Sequence, residues 1–368
     1  MGMKGCSAFF AGLAGSIFAG AIGCGGAVDL GGKAPPEGTA TGTVSSALCG
    51  SEARVLSQSD GAPGALAVNG DAVFWSIAKN SPVGGTSTSQ GLNTSLYRLG
   101  KSDSAKPGLA SGGIVGGMGI IHNAGEFVVA GDEAVFVQLD TKQTSAIRAA
   151  SVGSGAPRSI VESEKLILEV GAGHGRLLWG EFTEWRAGDN VFSYVTMPLA
   201  GGPSRLLTTA RTPLDIAILD RGFAWLEYGA SSAGEAYRFV ADPPSDARNF
   251  TGPAVWGRLA VHDERVYYRS DASTVASFDP ASASLTTVVV LPPQLSVVTD
   301  ADVRPVFEVD ERNVYAADAD AALFAVPRAG GDPIKVAEHV VDVAVDDACL
   351  YWMEVANGTT KVVSRQKP

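Results

Sequence analysis

Cysteine and histidine are scarce in this chain, basic runs are absent, and no stretch repeats apolar side chains at helical spacing. Each shortage excludes something. The four histidines, His122, His174, His262 and His339, show no mutual spacing that would mark a metal or catalytic cluster. Lys and Arg number 28 against 39 Asp and Glu, for a net charge of −11. A chain this acidic, with no basic run to offset it, repels nucleic acid and anionic head groups. Without a sustained 3.6-residue period, almost no helix is expected beyond the first segment. There is no H-E-x-x-H, P-loop or G-x-G-x-x-G, and GASSAG at residues 229–234 misses the spacing of a G-x-S-x-G elbow. No cofactor is implied.

What the chain has in plenty is glycine (45) and proline (19), the usage of an all-β protein with many tight turns. One phrase recurs: a short apolar strand, an acidic or glycine turn, then a second strand ending in aromatics. It reads ALAVNGDAVFW at 65–75, FVVAGDEAVFV at 127–137, LILEVGAGHGRLLW at 166–179 and IAILDRGFAWL at 216–226. It returns as LAVHDERVYY at 259–268, FEVDERNVYA at 307–316 and VAVDDACLYW at 343–352. A hairpin repeated at this period is the signature of a β-propeller, one hairpin opening each blade. The expected fold is therefore all-β, a seven-bladed β-propeller of four-stranded blades. Because the turn GAGHG of the third copy is irregular, six or eight blades remain as alternatives. Third and fourth strands follow each hairpin, with AGGP at 200–203 and AGGDP at 329–333 as turns between them. The last hairpin has only one strand after it, whereas ARVLSQS at 53–59 precedes the first. That segment is expected to supply the missing outer strand and close the ring, hiding edges an open array would expose.

Residues 1–23 read as an export signal: Lys4 supplies the positive end and Phe9 to Ile22 a short apolar stretch, too short for a convincing membrane span. The signal ends Ala21-Ile22-Gly23-Cys24, similar to a bacterial lipobox, although Ala21 stands where leucine is usual. Cys24 is thus the expected lipidation site, with an ordinary secretory signal as the alternative. Gly25, rather than aspartate, follows it, which favours an outer-membrane anchor. Residues 24–50 are small and polar and read as a flexible tether, leaving 51–368 as the propeller domain. Cys6 belongs to the signal, so Cys49 and Cys349 remain as a pair in an oxidising compartment. One precedes the closing strand and the other starts the second strand of the blade it completes, so a disulfide is expected there.

The aromatics at the ends of the second strands (Trp75, Phe136, Trp179, Trp225, Tyr267, Tyr315 and Trp352) are assigned to blade-to-blade packing rather than to sugar stacking. The acids at Asp300, Asp302, Glu308, Asp310, Glu311, Asp318 and Asp320 lack a calcium-loop spacing and are assigned to turns, so no metal site is expected. Five stretches read as long loops, at 76–94, 110–125, 181–190, 228–235 and 292–305, all emerging on one face. Long loops carry function more often than tight turns. The candidate binding residues on that face are Lys79, Asn80, His122, Trp185, Arg186, Asp189, Tyr228, Asp302 and Arg304.

The repeated phrase, as in LFAVPRAGGDPIKVAEHVVDVAVDDACLYWME at 323–354, resembles the TolB-like and NHL-like propellers of exported lipoproteins of myxobacterial type. The resemblance covers about residues 53 to 368. It implies a fold and a place, not an active site. Two function classes follow. The first is a monomeric, non-enzymatic binding or scaffold protein held in the cell envelope by its lipid, with an envelope protein or glycan as partner. The second is a propeller enzyme, a lyase or glycan hydrolase, working at the central channel. The innermost strands as read here (ALAV, FVVA, LILEV, IAIL, LAV, FEV and VAV) are apolar apart from Glu169 and Glu308, which favours the first.

Overall fold

A computed structural model of the chain describes residues 48–82, 90–101, 108–111, 127–139, 144–151, 157–186, 189–227, 235–242, 250–254, 258–295 and 306–368. Cys24, the signal segment and most of the tether lie outside them. Among the described residues the strands form seven antiparallel sheets of four, and the only helical piece is a single 3-10 turn at Pro293–Leu295.

Blade 1 comprises β2 (Ala62–Val68), β3 (Ala72–Pro82), β4 (Gln90–Gly100) and β5 (Gly108–Ser111). Blade 2 comprises β6 (Val128–Ala130), β7 (Glu133–Leu139), β8 (Ser145–Ser151) and β9 (Arg158–Ser163). Blade 3 has β10 (Ile167–Gly173), β11 (Arg176–Arg186), β12 (Asp189–Pro198) and β13 (Arg205–Ala210), and blade 4 has β14 (Pro213–Leu219), β15 (Gly222–Glu227), β16 (Glu235–Ala241) and β17 (Phe250–Ala254). Blade 5 has β18 (Ala260–His262), β19 (Arg265–Arg269), β20 (Thr274–Asp279) and β21 (Ser284–Val290), and blade 6 has β22 (Phe307–Val309), β23 (Asn313–Ala317), β24 (Leu323–Pro327) and β25 (Ile334–Ala337). Blade 7 is built from both ends of the chain: β26 (Val340–Val345), β27 (Cys349–Ala356), β28 (Thr359–Gln366) and, outermost, β1 (Arg54–Asp60). The closing strand is thus the one expected, with Arg54 opposite Ser364 and Asp60 opposite Thr359.

Local chemistry sets the turns. Asp310 accepts the N–H groups of Arg312 and Asn313 and the hydroxyl of Tyr315; Asp346 does the same for Ala348, Cys349 and Tyr351. The carboxylate substitutes for a backbone acceptor and fixes the reversal, which accounts for these acids without a metal. The two AGG turns place Gly201 and Gly202 at φ 97° and 136°, and Gly330 and Gly331 at 87° and 133°. Only glycine occupies such backbone at no steric cost.

Packing between blades uses the aromatics. Trp75, Trp225 and Trp352 are fully buried, Tyr194 of blade 3 stacks on Trp225 of blade 4 at 4.5 Å, and Tyr237 of blade 4 on Tyr268 of blade 5 at 4.8 Å. Such rings fill the wedge between twisted sheets and carry much of the core energy.

The outer strands share a device that the sequence did not reveal. In β1, β5, β9, β13, β21 and β25 the register slips by one residue against the third strand. The extra residue in five of these (Leu56, Ile160, Leu207, Val288 and Val336) is apolar and packs part-buried against a core cluster. The bulge twists the edge and turns one more apolar side chain inward.

Candidate functional site

The two faces of the ring differ. One carries the turns between first and second strands and between third and fourth. There, side chains join neighbouring blades in sequence. The Asn69 amide donates to the Gly131 carbonyl, from blade 1 to 2. Lys101 meets Asp346 at 2.6 Å (blades 1 and 7), and Lys367 meets Asp310 at 3.1 Å (blades 7 and 6). Arg328 donates to the Tyr267 hydroxyl at 3.1 Å (blades 6 and 5), and the Asp220 N–H donates to Glu264 at 2.6 Å (blades 4 and 5). Arg176 meets Asp242 at 2.8 Å (blades 3 and 4). The disulfide between Cys49 and Cys349, with Cα atoms 6.1 Å apart, lies on this face as well. Its flanks are tied down: the Ser364 hydroxyl donates to the Leu48 carbonyl at 2.6 Å and the Gln366 N–H to the Gly50 carbonyl at 2.7 Å. This is a stapled surface.

The opposite face carries the connections between second and third strands and between blades. Two of the stretches expected to be loops are largely strand. The hairpin β3–β4 pairs from Ala72 and Gly100 out to Pro82 and Gln90, whereas its inner neighbour β2 reaches only Ala78. The hairpin β11–β12 pairs out to Arg186 and Asp189, whereas β10 stops opposite Glu181 and β13 opposite Phe192. Each therefore continues as a two-stranded ribbon beyond its own sheet. Polar sequence such as EFTEWRAGDN read as loop because it lacks apolar alternation, yet a ribbon clear of the core needs only backbone pairing. In the second ribbon Thr183 and Ser193 share a hydroxyl contact of 2.8 Å, Phe182 meets Phe192 edge-on at 5.6 Å, and Trp185 stands 41% exposed.

Of the candidate binding residues, Trp185, Arg186 and Asp189 thus share the blade 3 ribbon, and Lys79 and Asn80 lie in β3 of the blade 1 ribbon, opposite Asn93 and Leu92. His122, Tyr228, Asp302 and Arg304 lie outside the described residues.

The axis departs from the expectation of apolar inner strands. Asp215 in β14, Arg258 just ahead of β18, Glu308 in β22 and Asp342 in β26 are all buried. Arg258 Nη1 lies 2.6 Å from Asp342 Oδ1, joining blade 5 to blade 7, which are not neighbours. Asp342 also accepts the Leu66 N–H of blade 1 at 2.7 Å and the N–H of Val343. Asp215 repeats the pattern, accepting the N–H of Ile216 and, at 2.7 Å, that of Leu259 in blade 5. An acid at the start of an inner strand therefore caps its own strand and the next blade. Burial pushes the Asp342 carboxyl up, against the pull of Arg258. Burial pushes Glu308 up as well, to about 8, with Arg258 lowering it and Asp342 and Asp215 raising it. Glu308 is therefore mostly protonated at neutral pH.

This has a measurable consequence. In the unfolded chain Glu308 ionises near 4.5 and in the fold near 8. The folded state holds the extra proton between these values, so its stability falls as pH rises through the window and levels off above about 8. The slope is about 1.4 kcal/mol per pH unit. Glu308→Gln removes this titration. Melting temperatures of both proteins at pH 5, 7 and 9 should show the variant gaining on the native chain with rising pH; a constant difference would place the proton elsewhere.

Toward the ribbon face, three second strands carry Trp-x-Glu. Trp179 donates to Glu181 at 3.5 Å, Trp225 to Glu227 at 2.8 Å and Trp352 to Glu354 at 3.3 Å. Each acid meets a base: Lys165 at 2.9 Å, Arg238 at 2.9 Å and Lys361 at 3.2 Å. Arg269, 3% exposed, donates to the Leu295 carbonyl at 3.3 Å, and burial lowers its pKa to about 10.

These features define a seven-bladed propeller with one stapled face and one ribboned face. No protein-family model matches the chain, and no curated protein matches it. Among solved structures it is similar to the β-propeller domain of the trilobed protease from Pyrococcus furiosus (10% identity, TM-score 0.52, 84% of this chain and 95% of that one). It is also similar to an oligogalacturonate lyase in complex with manganese (10% identity, TM-score 0.50, 87% and 99%). A third likeness is to the Pyrococcus horikoshii acylaminoacyl peptidase (10% identity, TM-score 0.53), where 79% of this chain spans about half, 48%, of that one. At these identities the likeness shows the fold alone.

Proposed function

We propose that the protein is an exported propeller, lipid-anchored through Cys24 at the outer membrane, that acts without catalysis as a binding or scaffold protein of the bacterial cell envelope. The observation that supports this most is the pair of ribbons rising from one face, one of them bearing the exposed Trp185. An exposed tryptophan on a paired hairpin is the kind of anchor on which partner binding concentrates. Residues 48 to 50 run along β28 at the stapled face, the face opposite the ribbons.

A photo-cross-linking residue at position 185 should capture an envelope protein or glycan in intact cells, and one at position 334, on the rim of blade 6, should not. Trp185→Ala should weaken that complex by about 2 kcal/mol, or roughly 30-fold. Equal capture at both positions, or none at 185, would count against the ribbon face. Cys24→Ala should move the protein from the membrane fraction to the soluble one; retention in the membrane without lipid on the native protein would remove the anchor from the reading.

The alternative, a propeller enzyme, has one observation in its favour. Glu308, protonated at neutral pH beside Arg258, has the acidity of a proton donor. Both side chains are 2% exposed, however, so a substrate would reach them only after the axis opened.

A further inference from the structure

Two arginines are buried among the described residues, Arg258 at 2% exposure and Arg269 at 3%. Arg258 has the Asp342 carboxylate at 2.6 Å. Arg269, the last residue of β19 and so at the ribbon face, has no such acid among the described residues. Its Nη1 donates to the Leu295 carbonyl at 3.3 Å, whereas Nε and Nη2 are buried without a partner. Desolvation alone moves its pKa, with no carboxylate pulling the other way. The nearest acid in sequence, Asp271, is exposed and accepts the N–H groups of Ser273 and Thr274.

The fold does not require a charge at this place. The residue four beyond the pair that closes each hairpin turn is Ser76, Val137, Gly180, Leu226, Arg269, Ala317 and Met353 in blades 1 to 7. Arg269 alone ionises. Strand alternation sets it on the side of Tyr267, which packs with Phe307, Val309 and Val314 of blade 6. The guanidinium thus lies between blades 5 and 6, where a charge loses its hydration and needs a partner to offset the loss. One carbonyl answers only one of its five N–H groups.

We infer that Arg269 is a binding site for the carboxylate of a ligand that enters from the ribbon face. Nε–H and Nη2–H point in parallel from one edge of the guanidinium, at the spacing of the two oxygens of a carboxylate, and such a fork-to-fork pair is both strong and selective. Chloride cannot span the fork. Phosphate can, but it brings more than one charge to a place that holds a single base. The site is on blade 5, apart from Trp185 on blade 3, and neither reading depends on the other.

Thermal unfolding of the full chain at neutral pH, titrated with sodium acetate against sodium chloride and sodium phosphate at matched ionic strength, tests this. Acetate at ten times its Kd should raise the melting temperature by about 2 °C over chloride, and phosphate should raise it less. Arg269→Met should lose the acetate response, which separates the site from any general salt effect, and should melt no lower than the native protein in chloride. Methionine fits because Met353 fills the same place in blade 7. Arg269→Lys keeps the charge without the fork and should bind acetate about tenfold more weakly. Arg265→Gln, at the other end of β19, should respond as the native protein does. Should Arg269→Met fail to fold, the Arg269 Nε–H resonance of the native protein reads the same contact and should shift on adding acetate. No acetate response up to about 0.5 M, a response that Arg269→Met retains, or an unmoved Nε–H resonance would overturn the inference.

Discussion

Replacing Arg258 by Met is expected to destabilise the fold by about 3–5 kcal/mol, the cost of leaving a buried acid without its partner. Asp342 is 0% exposed and would retain only the N–H groups of Leu66 and Val343. Two outcomes separate a specific pair from a general packing loss. The denaturation midpoint should fall with the slope unchanged, since the exposed area on unfolding is the same. Adding Asp342→Asn to Arg258→Met should recover part of the loss, because the uncompensated charge is then gone. A cost below about 1 kcal/mol for the single change would mean that the two residues do not act as a clamp across the axis. The effect should reach the ring closure, because Asp342 joins blade 7, the blade built from both chain ends, to blade 1.

The second large effect concerns the disulfide. Cys49→Ser should lower stability by up to about 5 kcal/mol, the chain-entropy figure for so long a loop; the bridged residues are 300 apart in sequence. The contacts of Leu48 and Gly50 with β28 remain, so β1 should stay paired in the native state yet open first on heating. Limited proteolysis should then nick the variant at or ahead of β1 before any other site. Reductant should lower the melting temperature of the native protein to that of the variant and leave the variant unmoved. If the mature protein, without Cys6 and with Cys24 lipidated, labels with two thiols before reduction, the ring is held by strand pairing alone.

The ring, its blade number and its closing strand were legible in the sequence, because the hairpin phrase recurs seven times, at intervals of about 40 to 60 residues, and the last copy lacks a strand. The axis was not legible in the same way. Reading the inner strands as IAIL, LAV and VAV set their starts just past Asp215, Arg258 and Asp342, whereas β14 and β26 begin earlier, at Pro213 and Val340, and Arg258 lies two residues ahead of β18. An ionisable residue bordering an apolar run looks like the point where a strand meets solvent. In a propeller that point is the mouth of the channel, where the next blade's N–H needs an acceptor. The signal was present as repetition, since Asp-Ile-Ala-Ile at 215–218 and Asp-Val-Ala-Val at 342–345 occupy the same place in their blades. The candidate face was legible in part. Its position followed from topology, but polar hairpins and polar loops have the same composition, so only hydrogen-bond register distinguishes the ribbons at Trp185 and Lys79 from loops.

The union of β1 with β28 has a consequence for the order in which the molecule can assemble. β1 precedes every other strand and its only sheet partner is the last of them, so it has no partner until the chain of every other blade is in place. During that interval β1 has two open edges, and after the first six blades have formed the array is still an open arc. Contacts this distant in sequence form slowly, and unpaired strands are open to mispairing until they do. A chain arrested or trimmed before residue 359 would be left with β1 unmatched and with a terminal blade of two strands. Completion of the final eight-residue strand is therefore the event that converts an open arc into a closed body.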